Sequence, residues 1–201
     1  MNTSVDASAA TFDAFFARYE QPLYAYLRQM LPATISDADA LAADLTQEAF
    51  FRAWAQFERL RHYERPAAWL FRVATNLAIS QLRRHQPMSF SRLAHEPGHD
   101  PSDAKYPSQF DDSASFTAPI NLEEQAITRD LIAAALRQLP ERQRAALLLR
   151  AAQGFAVAEV ADILGINVAN THQLLSRASR HFREVYEALA SDVSEHTPWR
   201  V

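Results

Sequence analysis

Residues 140–183 read PERQRAALLLRAAQGFAVAEVADILGINVANTHQLLSRASRHFR. This stretch predicts two helices joined by a sharp turn, the second of them rich in arginine. A helix-turn-helix that enters a DNA major groove needs a small residue where the helices cross and a tight turn between them. Ala161 suits the crossing, Gly165 a left-handed cap and Asn167 the start of the next helix. The stretch therefore predicts a helix-turn-helix, with apolar contacts from Val160, Leu164 and Ile166.

The charge of the chain lies in blocks of opposite sign, although the net charge is only −4. Residues 49–86 carry seven arginines and two acids, and residues 166–183 carry three arginines and no acid. The segments 1–48 and 87–126 are acidic. Because phosphate contacts depend on local positive charge, the two basic blocks predict two separate contacts with nucleic acid.

Composition and motifs argue against several other classes of protein. The chain has no cysteine, which excludes disulfides and thiol nucleophiles and fits a cytoplasmic location. It has neither a signal-like N-terminus nor a run of ~18 apolar residues, so we expect a soluble protein without membrane insertion. Residues 95–99 read HEPGH, a formal zinc-peptidase match, but Pro97 and Gly98 oppose the helix that this motif requires. We expect no catalytic residue, no metal, no cofactor and no enzymatic activity.

The spacing of apolar residues predicts an all-α fold made of two small helical domains. Residues 85–119 contain five of the ten prolines and many serines and aspartates, a composition that favours a flexible acidic linker. The predicted divisions are a disordered N-terminus at 1–11, a three- or four-helix domain at 12–86, the linker at 87–119, the helix-turn-helix domain at 120–187 and a tail at 188–201.

Three motifs, in this order and spacing, resemble those of bacterial RNA polymerase sigma factors of the sigma-70 family, extracytoplasmic-function (ECF) type. They are DLTQEAFFRAW at 44–54, AAWLFRVATNLAISQLRR at 67–84, and LPERQRAALLLR at 139–150 followed by VADILGI. The resemblance covers 12–84, which the family calls region 2, and 122–186, called region 4. It implies a dissociable subunit that binds core RNA polymerase and directs promoter-specific initiation, with region 2 reading the −10 element and region 4 the −35 element.

The resemblance also implies three binding surfaces. The core-binding face would bind a basic surface of core polymerase and consists of Asp44, Gln47, Glu48, Asp37 and Asp39. The −10 surface would hold an unstacked base and the strand backbone; it consists of Arg59, Arg61, Tyr63, Arg65, Trp69, Arg72, Asn76, Arg83 and Arg84. The recognition surface would contact base edges and phosphates; it consists of Asn170, His172, Gln173, Arg177 and Arg180. Without the family, the acidic face and Arg180 are also typical of solvated helix surfaces, and Trp69 of a core position.

The sequence departs from the family pattern in several places. His172 and Leu174 replace a lysine and an arginine, which predicts weaker and less salt-dependent DNA binding. Thr75 stands where the family often has arginine, and Ala42-Ala43-Asp44 has one acid fewer than usual. In some members with a depleted acidic interface, threonine phosphorylation there restores activity. Thr46 lies in this segment, and a phosphate would add about −1.5 to −2 charges.

Two other functions remain open at this stage. The chain is also compatible with a stand-alone helix-turn-helix regulator, although the two region 2 motifs argue against it. A third function is a sigma-like decoy that binds partners and has weak affinity for DNA. Beside core polymerase and promoter DNA, the expected partners are an anti-sigma factor or a kinase.

Overall fold

The computed structural model of the protein describes residues 3–32, 35–85 and 122–195. Within these ranges every regular element is helical, which confirms the all-α prediction. The elements are α1 (Thr3–Met30), α2 (Ala38–Ala55), α3 (Phe57–Leu60), α4 (Pro66–His85), α5 (Leu122–Gln138), α6 (Glu141–Leu147), a π-helical turn (Leu148–Ala152), α7 (Val157–Leu164) and α8 (Val168–Glu195). The predicted linker at 87–119 and the HEPGH motif lie outside the described residues.

The N-terminal domain is built from α1, α2 and α4, which all contact one another. Leu23, Leu27 and Leu70 are fully buried at their centre. An aromatic cluster also joins α1 to α2, where the ring centroids of Phe16 and Phe50 lie 4.6 Å apart. Burial of this apolar surface is the main stabilising contribution, at about 25 cal/mol per Å².

Two helices extend beyond the predicted boundaries because local helix propensity carries them further. We expected residues 1–11 to be disordered, but α1 begins at Thr3; the segment is rich in alanine, the best helix former. We expected a tail from 188, but α8 continues to Glu195, because the segment 168–197 contains no proline or glycine. Between α2 and α4, the short helix α3 is anchored by the buried side chain of Leu60.

The C-terminal domain packs α8 against α5, α6 and α7. Pro140 directly precedes α6. The fixed φ of proline favours a position at the start of a helix. After Leu147 the backbone widens from α6 into the π-helical turn at 148–152. Gly154 then takes a φ of 75°, a left-handed value that suits glycine, and ends the segment.

The two domains are also in contact with each other. Helix α4 of the first domain packs along α7 of the second, and the end of α1 packs against α5 and α6. The buried guanidinium of Arg144 donates to the carbonyl oxygen of Met30 at 2.6 Å. It also donates to carbonyl oxygens of its own domain, those of Leu136, Arg137 and Leu139, at 2.8 to 3.0 Å. One cation thus satisfies the C-terminal ends of α1 and α5, where helix dipoles favour positive charge.

Candidate DNA and polymerase interfaces

The turn between α7 and α8 has the geometry that the sequence predicts. Gly165 adopts a left-handed conformation, with φ 65° and ψ 38°, and ends α7. The amide of Ile166 donates to the carbonyl of Ala161 at 3.1 Å. The side-chain oxygen of Asn167 accepts from the amide of Asn170 at 2.7 Å and caps α8. These contacts fix the angle at which α8 leaves the turn.

Helix α8 presents the predicted recognition surface to solvent. At about 100° per residue, Gln173 and Arg180 point away from the buried positions Leu175 and Ala178, with the other members on the flanks of the same exposed half. All five predicted side chains are exposed, namely Asn170, His172, Gln173, Arg177 and Arg180. The first turns of α8 can therefore present amide and imidazole groups to base edges, with arginines for phosphates.

The departures from the family pattern in α8 have different structural consequences. Thr171 is fully buried, and its hydroxyl donates to the carbonyl of Asn167 at 2.9 Å, so it serves as an anchor despite being polar. Leu174 is half-buried and packs against the core, so its position offers no charge to DNA. His172 is exposed, and a lysine there would be tolerated sterically.

The predicted −10 residues of α4 form one stripe. Trp69, Arg72, Asn76 and Arg83 follow one another at steps of three, four and seven residues, which keeps them on one side of a helix. Arg72, Asn76 and Arg83 are exposed, as is Arg84 beside them, whereas Trp69 is half-buried. The stripe continues into the loop before α4, where Tyr63 is 49% exposed and can offer its ring face for stacking.

Acidic partners occupy part of the −10 surface. Arg61 pairs with Glu58 at 2.9 Å. Arg65 pairs with Glu159 of α7 at 3.5 Å, so its partner comes from the other domain. Arg59 is exposed on α3. The loop is thus not uniformly positive, and strand binding at Arg61 and Arg65 would have to compete with two carboxylates.

The core-binding face is divided by the structure into two parts. Asp44, Gln47 and Glu48 lie on one side of α2, and Asp44 and Gln47 are exposed. Glu48 accepts from Arg52 at 2.7 Å, the usual four-residue spacing of a helical ion pair. The same side carries Phe51, whose side chain is 69% exposed.

Asp37 and Asp39 lie at the start of α2 and have internal partners. Asp37 is the N-cap of α2, and its carboxylate accepts from the amide of Ala40 at 3.1 Å. The carboxylate of Asp39 accepts from the guanidinium of Arg28 and, at 3.2 Å, from the hydroxyl of Tyr24. The hydrogen bond from Arg28 lowers the pKa of Asp39 below its usual range. The charge of these two residues is therefore partly used within the domain.

Thr46 faces the core rather than solvent. Its side chain is 6% exposed, and its hydroxyl donates to the carbonyl of Ala42 at 2.7 Å. A kinase cannot reach this hydroxyl while α2 is folded, so the structure gives no support to phosphorylation at Thr46. The spacing already indicated this position, because Ala42, Ala49 and Phe50 occupy the same buried side of α2.

Thr75 stands where the family often has arginine. Its side chain forms a buried polar pair with Tyr26. Its hydroxyl donates to the carbonyl of Phe71 at 2.6 Å and accepts from the hydroxyl of Tyr26 at 2.7 Å. Burial raises the pKa of the Tyr26 phenol. The pair stabilises the contact between α1 and α4, and no charge is available there for DNA.

Three residues that take part in the interfaces or in the contact between the domains were not identified from the sequence. The exposed Phe51 and the half-buried Phe155 resemble ordinary helix and loop residues until their surroundings are known. Arg144 has the same sequence context as Arg142 in the run ERQR at 141–144. The run carries no signal that distinguishes the two, because the burial of Arg144 depends on carbonyl groups from distant helices.

The structure has two small helical domains, one with a helix-turn-helix and the other with a basic and aromatic stripe, as in a helix-turn-helix DNA-binding protein. Family models agree with both halves. The model described as "Sigma-70 region 2" matches residues 15–87, and the model "Sigma-70, region 4" matches residues 129–182. The chain therefore belongs to the sigma-70 family, and its relatives place it among the ECF sigma factors.

Two of these relatives are from Mycobacterium tuberculosis. The ECF RNA polymerase sigma factor SigL is 30% identical over 184 residues, covering 91% of this chain and 93% of SigL. The ECF RNA polymerase sigma factor SigG is 30% identical over 200 residues, covering 94% of this chain and 52% of SigG. The chain thus spans about half the length of SigG.

Solved structures share the fold. The sigma factor RpoE of Bartonella quintana, in complex with the anti-sigma factor NepR, is 22% identical with a TM-score of 0.60, covering 88% of this chain and 97% of RpoE. CnrH, in complex with the cytosolic domain of CnrY, is 22% identical with a TM-score of 0.56, covering 92% of this chain and 94% of CnrH.

Within the described ranges, no helix is long and apolar enough to cross a membrane.

Proposed function

We propose that this protein is a dissociable promoter-specificity subunit. It binds core RNA polymerase through α2, reads a −35 element with α8 and a −10 element with α4 and the loop before it, and has no chemistry of its own. The observation that supports this best is the presence, in one chain, of an exposed recognition surface on α8 and an exposed basic stripe on α4. We place its activity in the cytoplasm, with the polymerase.

The core-binding part of the proposal rests on Asp44, Gln47 and Glu48, with Phe51 beside them. Complementary charge sets the rate and register of an encounter, and a desolvated aromatic side chain adds affinity. Asp37 and Asp39 contribute less, because one caps α2 and the other pairs with Arg28.

A charge reversal on α2 tests the core-binding face. We expect Asp44→Lys to weaken binding to core polymerase at least about tenfold, because it places a cation against a basic partner surface. Asp130→Lys, an equal reversal at an exposed site on α5, should leave the affinity unchanged.

Run-off transcription with purified core polymerase tests the function as a whole. The expected result is a discrete start site that depends on this protein, with upstream sequences shared among responsive templates. Operator binding without any need for core polymerase would instead support a stand-alone regulator. Binding to core polymerase without initiation would support a decoy. The match to region 2 over residues 15–87 makes the stand-alone regulator less favourable.

An anti-sigma factor is the regulator that we propose. One structural neighbour is a sigma factor in complex with an anti-sigma factor, and another, CnrH, is in complex with the cytosolic domain of CnrY. A partner of this kind would have to cover the core-binding face or the recognition surface, both of which have exposed members here. Co-purification followed by loss of run-off product on adding the partner, restored by excess core polymerase, would support this proposal.

A further inference from the structure

The first two turns of α8 carry no lysine, arginine or acidic residue. Residues 168–176 read VANTHQLLS, and the first arginine of the helix is Arg177. The N-terminal part of a recognition helix is the part that contacts base edges, and the guanidinium group of arginine is the commonest reader of guanine there. In this chain amide, imidazole and apolar groups must supply the base contacts at this end of the helix instead.

Val168 begins α8 with an exposed apolar side chain. It directly follows the cap residue Asn167, and 46% of it is exposed. No other large apolar side chain between residues 157 and 192 is exposed. Ala169 beside it is exposed as well. The two side chains thus present apolar surface at the start of α8, and burial of that surface against a partner would favour binding.

This apolar pair is continuous with the recognition surface. Val168 lies one turn before His172, and Ala169 lies one turn before Gln173, so each is a neighbour of a proposed reading side chain on the helix surface. Four residues span about 6 Å along a helix axis, which is less than two base-pair steps of about 3.4 Å. Side chains one turn apart on α8 can therefore contact the same base pair or adjacent base pairs.

An A·T pair presents the groups that fit this combination. Its major-groove edge carries the N7 acceptor and the N6 donor of adenine beside the O4 acceptor and the 5-methyl group of thymine. The amide of Asn170 or Gln173 can bond adenine through N6 and N7, and an apolar side chain can cover the methyl group. The G·C and C·G pairs offer no methyl group in the groove, so the apolar contact would discriminate between the two kinds of pair.

We propose that Val168 is a specificity-determining residue that packs against the 5-methyl group of a thymine in the −35 element. This inference rests on the proposed function, because it names the base group that the start of α8 reads. Asn170 or Gln173 binds the adenine of the same pair or of the next one. The element read by α8 therefore contains at least one A·T pair whose methyl group is needed for full affinity.

Replacement of thymine by uracil tests this contact, because it removes only the methyl group. Duplexes are selected from a randomised library by the full-length chain and, separately, by its holoenzyme with core polymerase. Each thymine of the selected sequence is then replaced by uracil in turn, and binding is measured by fluorescence anisotropy. We expect one replacement to weaken wild-type binding about 2- to 5-fold, as the loss of one buried methyl group requires. In Val168→Ala the same replacement should change the affinity less than about 1.5-fold.

Two control variants separate the methyl contact from a general effect on the protein. Val168→Ile keeps a branched apolar side chain and should retain the difference between thymine and uracil. Ile127→Ala truncates an apolar side chain of similar exposure, 48%, on α5, outside the helix-turn-helix, and should also retain it. Because Val168 is exposed and alanine is the better helix former, Val168→Ala should be no less stable than the wild type in thermal melts.

The outcomes separate this inference from the proposed function. Equal losses at every thymine in wild type and Val168→Ala, or no loss at any thymine, would overturn the inference even if the holoenzyme initiates at a discrete start site. A methyl effect that Val168→Ala removes, without a start site on any template, would support the thymine contact of α8 and contradict the proposed function. If neither the free chain nor the holoenzyme selects a duplex that contains thymine, the inference is wrong.

Discussion

The two surfaces that we propose for DNA binding differ in how fully they are presented to solvent. On α8 all five members of the recognition surface are exposed, whereas on the −10 surface Trp69 is half-buried and Arg65 pairs with Glu159 of the other domain. The recognition surface follows from a local turn and a regular helix. The −10 surface includes a contact between domains, the ion pair of Arg65 with Glu159. The family motifs thus predict which residues would read DNA, whereas tertiary packing decides how exposed each of them is.

The largest expected effect comes from removing the cation that joins the two regions. Arg144→Met removes a donor from four carbonyl oxygens, in α1, α5 and the segment after α5, of which that of Leu136 still accepts from the amide of Leu139. Each buried unsatisfied acceptor costs about 1 to 3 kcal/mol. We expect urea unfolding to show a loss of at least about 3 kcal/mol in the free energy of unfolding. Arg137→Met, at an exposed site on α5, should cost less than about 0.5 kcal/mol; equal losses would show that burial of Arg144 is unimportant.

A smaller effect tests the turn that positions the recognition surface. Gly165 has φ 65°, and a Cβ atom there would meet no neighbour within 4 Å. Gly165→Ala should therefore cost only the backbone penalty of the left-handed region, about 1 to 2 kcal/mol in urea unfolding. Gly165→Asn should cost less, because asparagine tolerates this region. A neutral Gly165→Ala would mean that the turn does not need its left-handed residue.

The pair between Tyr26 and Thr75 supports α4 beneath the −10 surface. Tyr26→Phe removes one buried hydrogen bond, so we expect a loss of about 1 kcal/mol at neutral pH. Burial raises the folded-state pKa of Tyr26, so its contribution is complete below the unfolded pKa of about 10 and is lost as the pH rises above that value.

Urea unfolding of both proteins from about pH 7 to pH 11 checks this pH dependence. The difference in the free energy of unfolding between wild type and Tyr26→Phe should narrow above about pH 10, by at most about 1.4 kcal/mol per pH unit. Parallel curves across the whole range would contradict a buried, neutral phenol.

The smallest effect concerns the unusual charge of the recognition surface. His172→Lys adds one phosphate-capable charge at an exposed site. On the duplex promoter mapped by run-off transcription, the slope of log affinity against log salt should steepen by about 0.9. Arg180→Ala should flatten it by a similar amount. Unchanged slopes in both variants would show that this side of α8 does not meet the DNA backbone.

The parts of the fold that local chemistry determines could be predicted from the sequence. Gly165 and Asn167 identify the turn because few residues suit a left-handed cap and an N-cap, and the three-to-four-residue period places Arg72 and Asn76 on one stripe. The start of α1 at Thr3 was missed, because we gave too little weight to the helix propensity of the alanine-rich segment before residue 12.

Contacts between distant segments could not be predicted in this way. The burial of Arg144 depends on carbonyl groups from α1 and α5, and the partners of Phe71 and Arg65 come from beyond the segment 86–121. The burial of Thr46 was within reach of the sequence, since its neighbours on the helix face are apolar. We expected its hydroxyl at the surface because the family motif around it emphasises charge rather than the side of α2 on which it lies.

Hydroxyl-radical footprinting of the holoenzyme on a mapped promoter is the most direct test of our central claim. The claim is that two separate domains of one chain read two promoter elements. We expect two protected segments centred about 25 base pairs apart. Asn76→Ala should weaken the downstream segment and Gln173→Ala the upstream one. A single protected segment, or equal loss of both segments in each variant, would contradict the reading of two elements by two domains.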